Sequence, residues 1–255
     1  MGLDGVIKKF ESDKFYYSDY EFVTNSHLGT IKRDIRTYKF LRDNPNDRVE
    51  TMPMIFGRAY HVAMLEPNEF NKKVKVCNSA TRTTKMFKEF KADNSNAPTI
   101  LLTKEYDKIM RMQEVLFKHK QVKNLLTTDG ITEVANAWQD DDIGVYCKGK
   151  ADYKNKNVLI DLKTTIDSSP YGFSQSCKKY GYDRQASFYM DGFNCDEFIF
   201  IVQEKEPPFN VSIYYTSENF LTQGRDEYKH LLDVYRKYFI DNEYSLDDYV
   251  IIETL

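Results

Sequence analysis

Several features are scarce in this 255-residue chain, and each scarcity closes a class of function. No apolar run approaches the roughly 20 residues that span a bilayer. The opening MGLDGVIKKFESDKFYYSDYEF has no apolar segment of the signal-peptide kind, so a cytoplasmic protein is expected. The four cysteines, Cys77, Cys147, Cys177 and Cys195, stand far apart with no CxxC pair. That pattern gives neither a zinc site nor a disulfide framework and leaves reduced, space-filling thiols. Met1-Gly2 is not followed by the serine or threonine that a myristoylation signal carries at position 6. No GxxxxGK[S/T] loop is present, so neither a nucleotide-driven motor nor a need for ATP is expected. Repeats, low-complexity tracts and long Gly/Ser/Pro linkers are also absent, and residues 1–255 are expected to form a single domain.

What is present is the composition of a globular protein, 41% hydrophobic and 29% charged, with 19 tyrosines and 17 phenylalanines. The net charge of −3 argues against a chain coated in nucleic acid, yet the charge is unevenly spread. Between Lys72 and Lys91 there are seven Lys/Arg and one acid, Glu89; after Lys237 there are five acids and no base. A polyanion would be drawn to one surface and repelled from the other, unless both are ordinary solvated faces.

The hydrophobic period divides the chain in two. Residues 20–43 read as a helix after an extended start, with Asn25 or Ser26 as N-cap. Residues 54–66 form a second helix stopped by Pro67. The polar, basic stretch 78–98 reads as a loop or frayed helix, and a third helix runs from a Thr103 cap to Leu126. Then the period becomes two: 131–138, 144–153 and 157–163 are strands joined by turns of hairpin length. A short helix at 182–193, strands at 197–203 and 210–216, and a closing helix at 217–240 follow. This order is that of an α/β protein with a mixed β-sheet flanked by helices rather than a parallel doubly wound one.

The stretch LIDLKTT, residues 159–165, sets the chemical question. Alternate side chains of a strand share a face, so Asp161 and Lys163 project together while Leu162 points the other way. Asp152 lies nine residues upstream on the preceding strand, and a tight hairpin brings the two carboxylates side by side. They repel unless a cation sits between them, and oxygen ligands favour a hard divalent ion. Lys163 would then either handle a metal-bound water or stabilise charge developing on a phosphate under attack. D-x-K alone is a weak signal, equally that of a surface hairpin with one ion pair. Its apolar setting, after an aspartate-bearing strand, favours the functional reading.

The run KGKADY…LIDLKTT followed by KYGYDRQASFYMDGF resembles the PD-(D/E)XK nuclease superfamily, in particular its RecE-like phage exonuclease branch. Asp152, Asp161 with Lys163, and Gln185 with Tyr189 match the order of that family's acidic strand, D-x-K strand and Q-x-x-x-Y helix. GRAYHVAMLEPNEF is similar to its helix with a metal-binding histidine, and the likeness covers about residues 20–240. The resemblance implies a restriction-endonuclease-like core. It also implies that His61, Asp152, Asp161 and the Leu162 carbonyl hold Mg2+, with Mn2+ also effective because imidazole is a softer ligand. A lone helical histidine is more often structural, but Gly57, one turn earlier, would leave room beside His61 for a close neighbour.

Other roles follow from the same likeness. Gln185 would bond a phosphate oxygen or the attacking water, and Tyr189 would stack on or support the DNA backbone. Glu133 is an accessory carboxylate or supports the ligands. Thr164, Thr165, Lys148 and Lys150 are candidate DNA contacts, and Arg58 or Lys32 is a candidate for a terminal phosphate. Some relatives place one cysteine before the core and three after it to hold an iron–sulfur cluster. Here two precede Asp161 and two follow, so no cluster is expected. The implied activity is 5′-to-3′ degradation of one strand at double-stranded DNA ends. Its implied setting is a ring-shaped trimer or tetramer working with a phage single-strand annealing protein in recombination, without a membrane. An endonuclease of the same fold, or an inactive DNA-binding module, is the alternative.

Overall fold

The computed structural model describes residues 3–45, 50–126, 129–247 and 249–250. Two short helices, α1 (Leu3–Phe10) and α2 (Asp13–Ser18), open the chain ahead of the first element that the sequence led one to expect. Phe10 and Tyr16 bury themselves against Ala135 and Ala137, and that tertiary anchor is what the local sequence hides. The single helix expected over 20–43 is two, α3 (Asn25–Arg33) and α4 (Ile35–Asp43). Asp34 lies between them in extended backbone, its carboxylate accepting the Arg36 N–H at 2.9 Å. The α3 cap is Thr24 rather than Asn25 or Ser26, its hydroxyl taking the His27 N–H at 3.2 Å.

Helix α5 (Met52–Leu65) ends ahead of Pro67 as expected, and a single turn, α6 (Phe70–Lys73), follows. Strand β1 (Val74–Cys77) was not expected, and the stretch 78–98, expected as a loop or frayed helix, holds a regular helix, α7 (Lys85–Asp93), capped by Thr84. Strand β2 (Thr99–Leu102) closes the unit by pairing parallel to β1. Phe87, buried on α7, supplies the apolar contact that the lysine-rich sequence obscures. The helix expected over 103–126 breaks into α8 (Thr103–Leu116) and α9 (Lys120–Leu126).

The remaining strands are β3 (Ile131–Gln139), β4 (Tyr146–Asn155) and β5 (Val158–Thr165). They precede the helices α10 (Pro170–Tyr180) and α11 (Tyr182–Phe193), then β6 (Glu197–Glu204), β7 (Val211–Tyr215) and α12 (Glu218–Phe239). The five strands lie in the order β3-β4-β5-β6-β7, antiparallel except for the parallel step from β5 to β6. That step is crossed by α10 and α11, of which only α11 was expected. Ser169 caps α10 by accepting the Gly172 N–H, Pro170 fills its first turn, and Gly181, at φ 65°, provides the left-handed joint to α11.

Both faces of the sheet are covered. Ile160, Leu162, Ile199 and Ile201 pack with Tyr60, Ala63, Ile109 and Met112 of α5 and α8. Leu159, Phe198, Phe200 and Val202 pack with Phe173, Ala186 and Met190 of α10 and α11. Each such aliphatic contributes roughly 1.5–3 kcal/mol by leaving water. The alternation sends Leu162 toward α5 and leaves Asp161 and Lys163 on the α10–α11 side.

Candidate active site

His61 is placed by a well-tied helix. On α5, the neighbouring Tyr60 is fully buried and donates its hydroxyl to Gln203 Oε1 at 2.8 Å. Gln203, itself fully buried at the end of β6, donates to the Met112 carbonyl at 2.9 Å. Gln113 donates to the Ala63 carbonyl, so α5, α8 and β6 are cross-braced. The imidazole then meets the sheet: Nε2 lies 2.8 Å from the Leu162 carbonyl and Nδ1 lies 3.6 Å from Asp152 Oδ1. A Cβ placed on Gly57 would meet open space, with no side chain or other element within 4 Å.

Asp152 and Asp161 occupy the expected hairpin. The β4–β5 pairing runs to Tyr153↔Ile160, one rung short of setting the two aspartates opposite each other. Beyond it, Asp152 Oδ2 accepts the Leu162 N–H at 2.9 Å. Asp161 is 4% exposed. Its Oδ1 accepts from Gln185 Nε2 at 2.7 Å, and Lys163 Nζ stands 2.7 Å from Oδ2 as an ion pair outside hydrogen-bonding angles. Strand alternation and the spacing to Gln185 are thus realised as contacts.

Glu133 joins the cluster by a route that alternation does not describe. The flanking rungs, Thr132↔Tyr153 and Val134↔Ala151, put it across from Asp152, and its own backbone is left-handed at φ 52°. A non-glycine residue there costs about 1–3 kcal/mol. His61, Glu133 and Asp152 offer ligand atoms within 4.8 Å of one another. Burial and the neighbouring Asp152 push the Glu133 carboxyl up to about 7, against the pull of His61 and Lys150. Burial likewise lifts Asp161 to about 6, with Asp152 adding to the rise and Lys163 opposing it. For Lys163, burial favours the neutral amine, but Asp161, Tyr182 and Asp152 outweigh it and hold the pKa above that of an ordinary lysine.

These residues fit a hard divalent ion. Three carboxylates share the site with one ammonium, a negative excess that a dication offsets. One imidazole nitrogen and the carboxylate oxygens of Glu133 and Asp152, gathered within 4.8 Å, are a donor set that such an ion would accept. Asp161 Oδ2 keeps a lone pair free of any directed hydrogen bond.

Other expected contacts fall elsewhere. Lys148 does not approach DNA: it is fully buried, donating to the Tyr16 and Asp19 carbonyls at 2.5 and 2.8 Å and lying over the Phe10 ring. It ties α2 to β4, paired with the Asp19 carboxylate, and burial lowers its pKa. Tyr189 is half-buried, its ring 3.1 Å from where a Gly149 Cβ would stand, so it packs against β4. Arg58 pairs with Glu50 and donates to the Pro98 carbonyl at 2.7 Å, and Lys32 pairs with Glu227 at 2.6 Å. Lys150 is half-buried near the Tyr16 ring. Thr164 and Thr165 line a cavity beside Lys163. Sequence reasoning missed Tyr182, whose ring lies 4.7 Å under Lys163 Nζ, and Gln203. A lone glutamine closing the apolar run EFIFIVQ was the available signal for the latter.

A mixed sheet bearing D…D-x-K on neighbouring strands, with a helical histidine leaning over the D-x-K backbone, defines a domain of the PD-(D/E)XK class. The chain belongs to the family described as PDDEXK-like domain of unknown function (DUF3799), whose model matches residues 36–243. Among solved structures it is similar to a Eubacterium rectale protein assigned as an exonuclease. The TM-score there is 0.64 at 12% identity, over 97% of this chain and 94% of that one. A phage-related exonuclease from Haemophilus somnus 129PT aligns at 14% identity and TM-score 0.36, over 69% of this chain and 94% of that one. An alkaline exonuclease from Laribacter hongkongensis aligns at 13% identity and TM-score 0.29, over 73% and 97%. At 12% identity the likeness to the E. rectale protein is one of fold. A sequence comparison with curated proteins finds no match. No helix among the described residues is long and apolar enough to cross a membrane.

Proposed function

We propose that the protein is a divalent-metal-dependent exonuclease that degrades one strand of linear duplex DNA from its 5′ end. One observation carries the reading. His61, Glu133 and Asp152 converge within 4.8 Å, beside a lysine–aspartate pair only one residue either side of Leu162. His61, Asp152, Glu133 and the Leu162 carbonyl would hold Mg2+ or Mn2+, with Asp161 alongside. When bound, the ion supplies a Lewis acid for the phosphoryl oxygen and an acidified water.

The chain's own groups do the rest. Lys163, kept as an ammonium by Asp161, stabilises charge on the attacked phosphate and does not serve as the base. Gln185 holds Asp161 in place through Oδ1. Asp152 anchors the Leu162 backbone through its N–H, and the carbonyl of the same residue faces His61. The E. rectale fold neighbour, assigned as an exonuclease, supports end-directed cutting over internal cutting.

In this reading residues 1–255 act as one nuclease domain in the cytoplasm, on double-stranded ends. A ring-shaped trimer or tetramer would put the lysines of α7, Lys85, Lys88 and Lys91, toward DNA while the acidic residues after Lys237 stay outside. Cooperation with a phage single-strand annealing protein completes it. The test is a linear duplex labelled separately at each end, digested with and without Mg2+ beside Asp161→Ala, with a covalently closed circle as control. Metal-dependent loss of the 5′ label, an intact circle and an inactive variant are expected. Cutting of the circle, or cleavage that survives the substitution, would refute the proposal.

A further inference from the structure

We propose that the cavity beside Lys163 holds one nucleotide of the strand being cut, a reading that rests on the nuclease function above. The cavity, about 280 Å3, opens where β5 gives way to α10, and Lys163, Thr165, Lys179, Tyr180, Tyr182 and Lys205 stand around it. Its size suits a single nucleotide and excludes a duplex.

The wall has an ordered chemistry. Lys163 Nζ lies 4.7 Å from the Tyr182 ring centre, Tyr182 stacks on Tyr180 with centres 5.7 Å apart and planes at 29°, and Lys179 Nζ lies 5.2 Å over Tyr180. Two stacked rings thus lie between two cations, running from the reacting site out to the surface. Tyr180 is 54% exposed, which leaves its ring open to a partner. Opposite, Lys205 is fixed by its backbone N–H to the Thr165 carbonyl at 3.0 Å. Among the described residues neither Lys179 nor Lys205 has a carboxylate partner.

Charge and shape select the occupant. The cavity has three lysines and one acid, Asp167, whose carboxylate already accepts the Ser169 N–H at 2.8 Å. Free phosphate would use the lysines and leave the rings bare; an apolar group would use the rings and leave the lysines unpaired. A nucleotide uses both, its phosphate between the ammonium groups and its base against the tyrosines. Ile166, 85% exposed on the rim, adds an apolar surface that a base can cover. Because Lys163 belongs to both the cavity and the D-x-K site, the nucleotide held here adjoins the phosphate under attack.

The test uses duplexes carrying 2-aminopurine at the 5′-terminal nucleotide or at the fifth, bound with Ca2+ in place of Mg2+, beside cleavage assays in Mg2+. Wild-type protein is expected to quench the terminal probe more than the internal one. Tyr180→Ala should abolish that difference and Tyr180→Phe should keep it. Lys205→Ala should raise KM about tenfold, the order of one lost contact, and lower the salt slope of binding by about 1. Lys205→Gln, with circular dichroism melts on every variant, guards against loss of fold. Tyr180→Ala and Lys205→Ala that match wild type in quenching and KM would overturn the cavity's role while leaving the nuclease standing. Wild-type protein that neither binds nor cuts either duplex would remove the nuclease function and this inference together.

Discussion

Asp152 accepts the backbone N–H of Leu162 at 2.9 Å, just past the last paired rung of the β4–β5 hairpin. One carboxylate oxygen thereby anchors Leu162, the residue whose carbonyl meets His61, while the other faces the imidazole. Asp152→Asn separates these two jobs. The amide oxygen can still accept from Leu162, so the fold survives, but the charge that binds a cation is gone. Cleavage should fall at least about 100-fold, with a melting temperature close to wild type in the absence of metal. A variant that cuts DNA at the wild-type rate would remove Asp152 from the site.

Buried carboxylates make stability depend on pH and metal together. Glu133 and Asp161 have folded pKa values near 7 and 6, above those of the unfolded chain. A group raised in this way contributes its stability fully below its unfolded pKa and loses it as pH rises through the folded value. Metal-free protein should therefore lose a few kcal/mol between about pH 4 and pH 7.5, because both acids hold their protons more tightly in the folded chain. Mg2+ binds the deprotonated acids, so it should raise the melting temperature more at pH 8 than at pH 5. Equal shifts at both pH values would contradict the assignment.

Lys148 tests the difference between a DNA contact and a structural charge. Its ammonium is bonded to two carbonyls and the Asp19 carboxylate, with no exposed surface. Lys148→Met leaves those acceptors unsatisfied and should cost about 3 kcal/mol, the penalty for breaking a buried pair from one side. The salt dependence of DNA binding should not change, because no phosphate contact is lost. A reduced salt slope at wild-type stability would return Lys148 to the DNA surface.

The parts of the site that were legible in the sequence obey local rules. Asp161 and Lys163 share a face because strands alternate, and Gln185 reaches Asp161 from the helix that the 3.6-residue period marks. What was not legible depends on distant partners or special backbone. Lys148 reads as a surface lysine because burying one is costly, and its partners Tyr16 and Asp19, 132 and 129 residues away, offset that cost. Glu133 enters the cluster through a left-handed φ that no alternation anticipates. Helix α10 has a polar sequence whose two buried anchors, Phe173 and Cys177, make sense only against β6 and β7. The β1–β2 pair is parallel, so its strands find each other only across the intervening α7.

The packing of α12 on α11 can be tested where two effects oppose each other. Gly224 lies buried in α12, and a Cβ there would stand 2.1 Å from the Asp183 carbonyl oxygen and 2.6 Å from Ser187 Oγ. Ser187 also donates to the Leu221 carbonyl at 2.7 Å, so both helices are held at this crossing. Alanine is the better helix former by about 1 kcal/mol, which taken alone predicts that Gly224→Ala stabilises. The clash is with backbone, which cannot turn aside as a flexible side chain would, and overpacking costs about 1–3 kcal/mol or more. The second effect should win: a net loss of about 1 kcal/mol by denaturant unfolding, the balance of those two figures. Because α11 also carries Gln185, spreading the two helices should loosen its 2.7 Å bond to Asp161 and lower kcat while leaving the pH of half-maximal activity in place. A stabilised Gly224→Ala would mean that the helices cross farther apart than these contacts require.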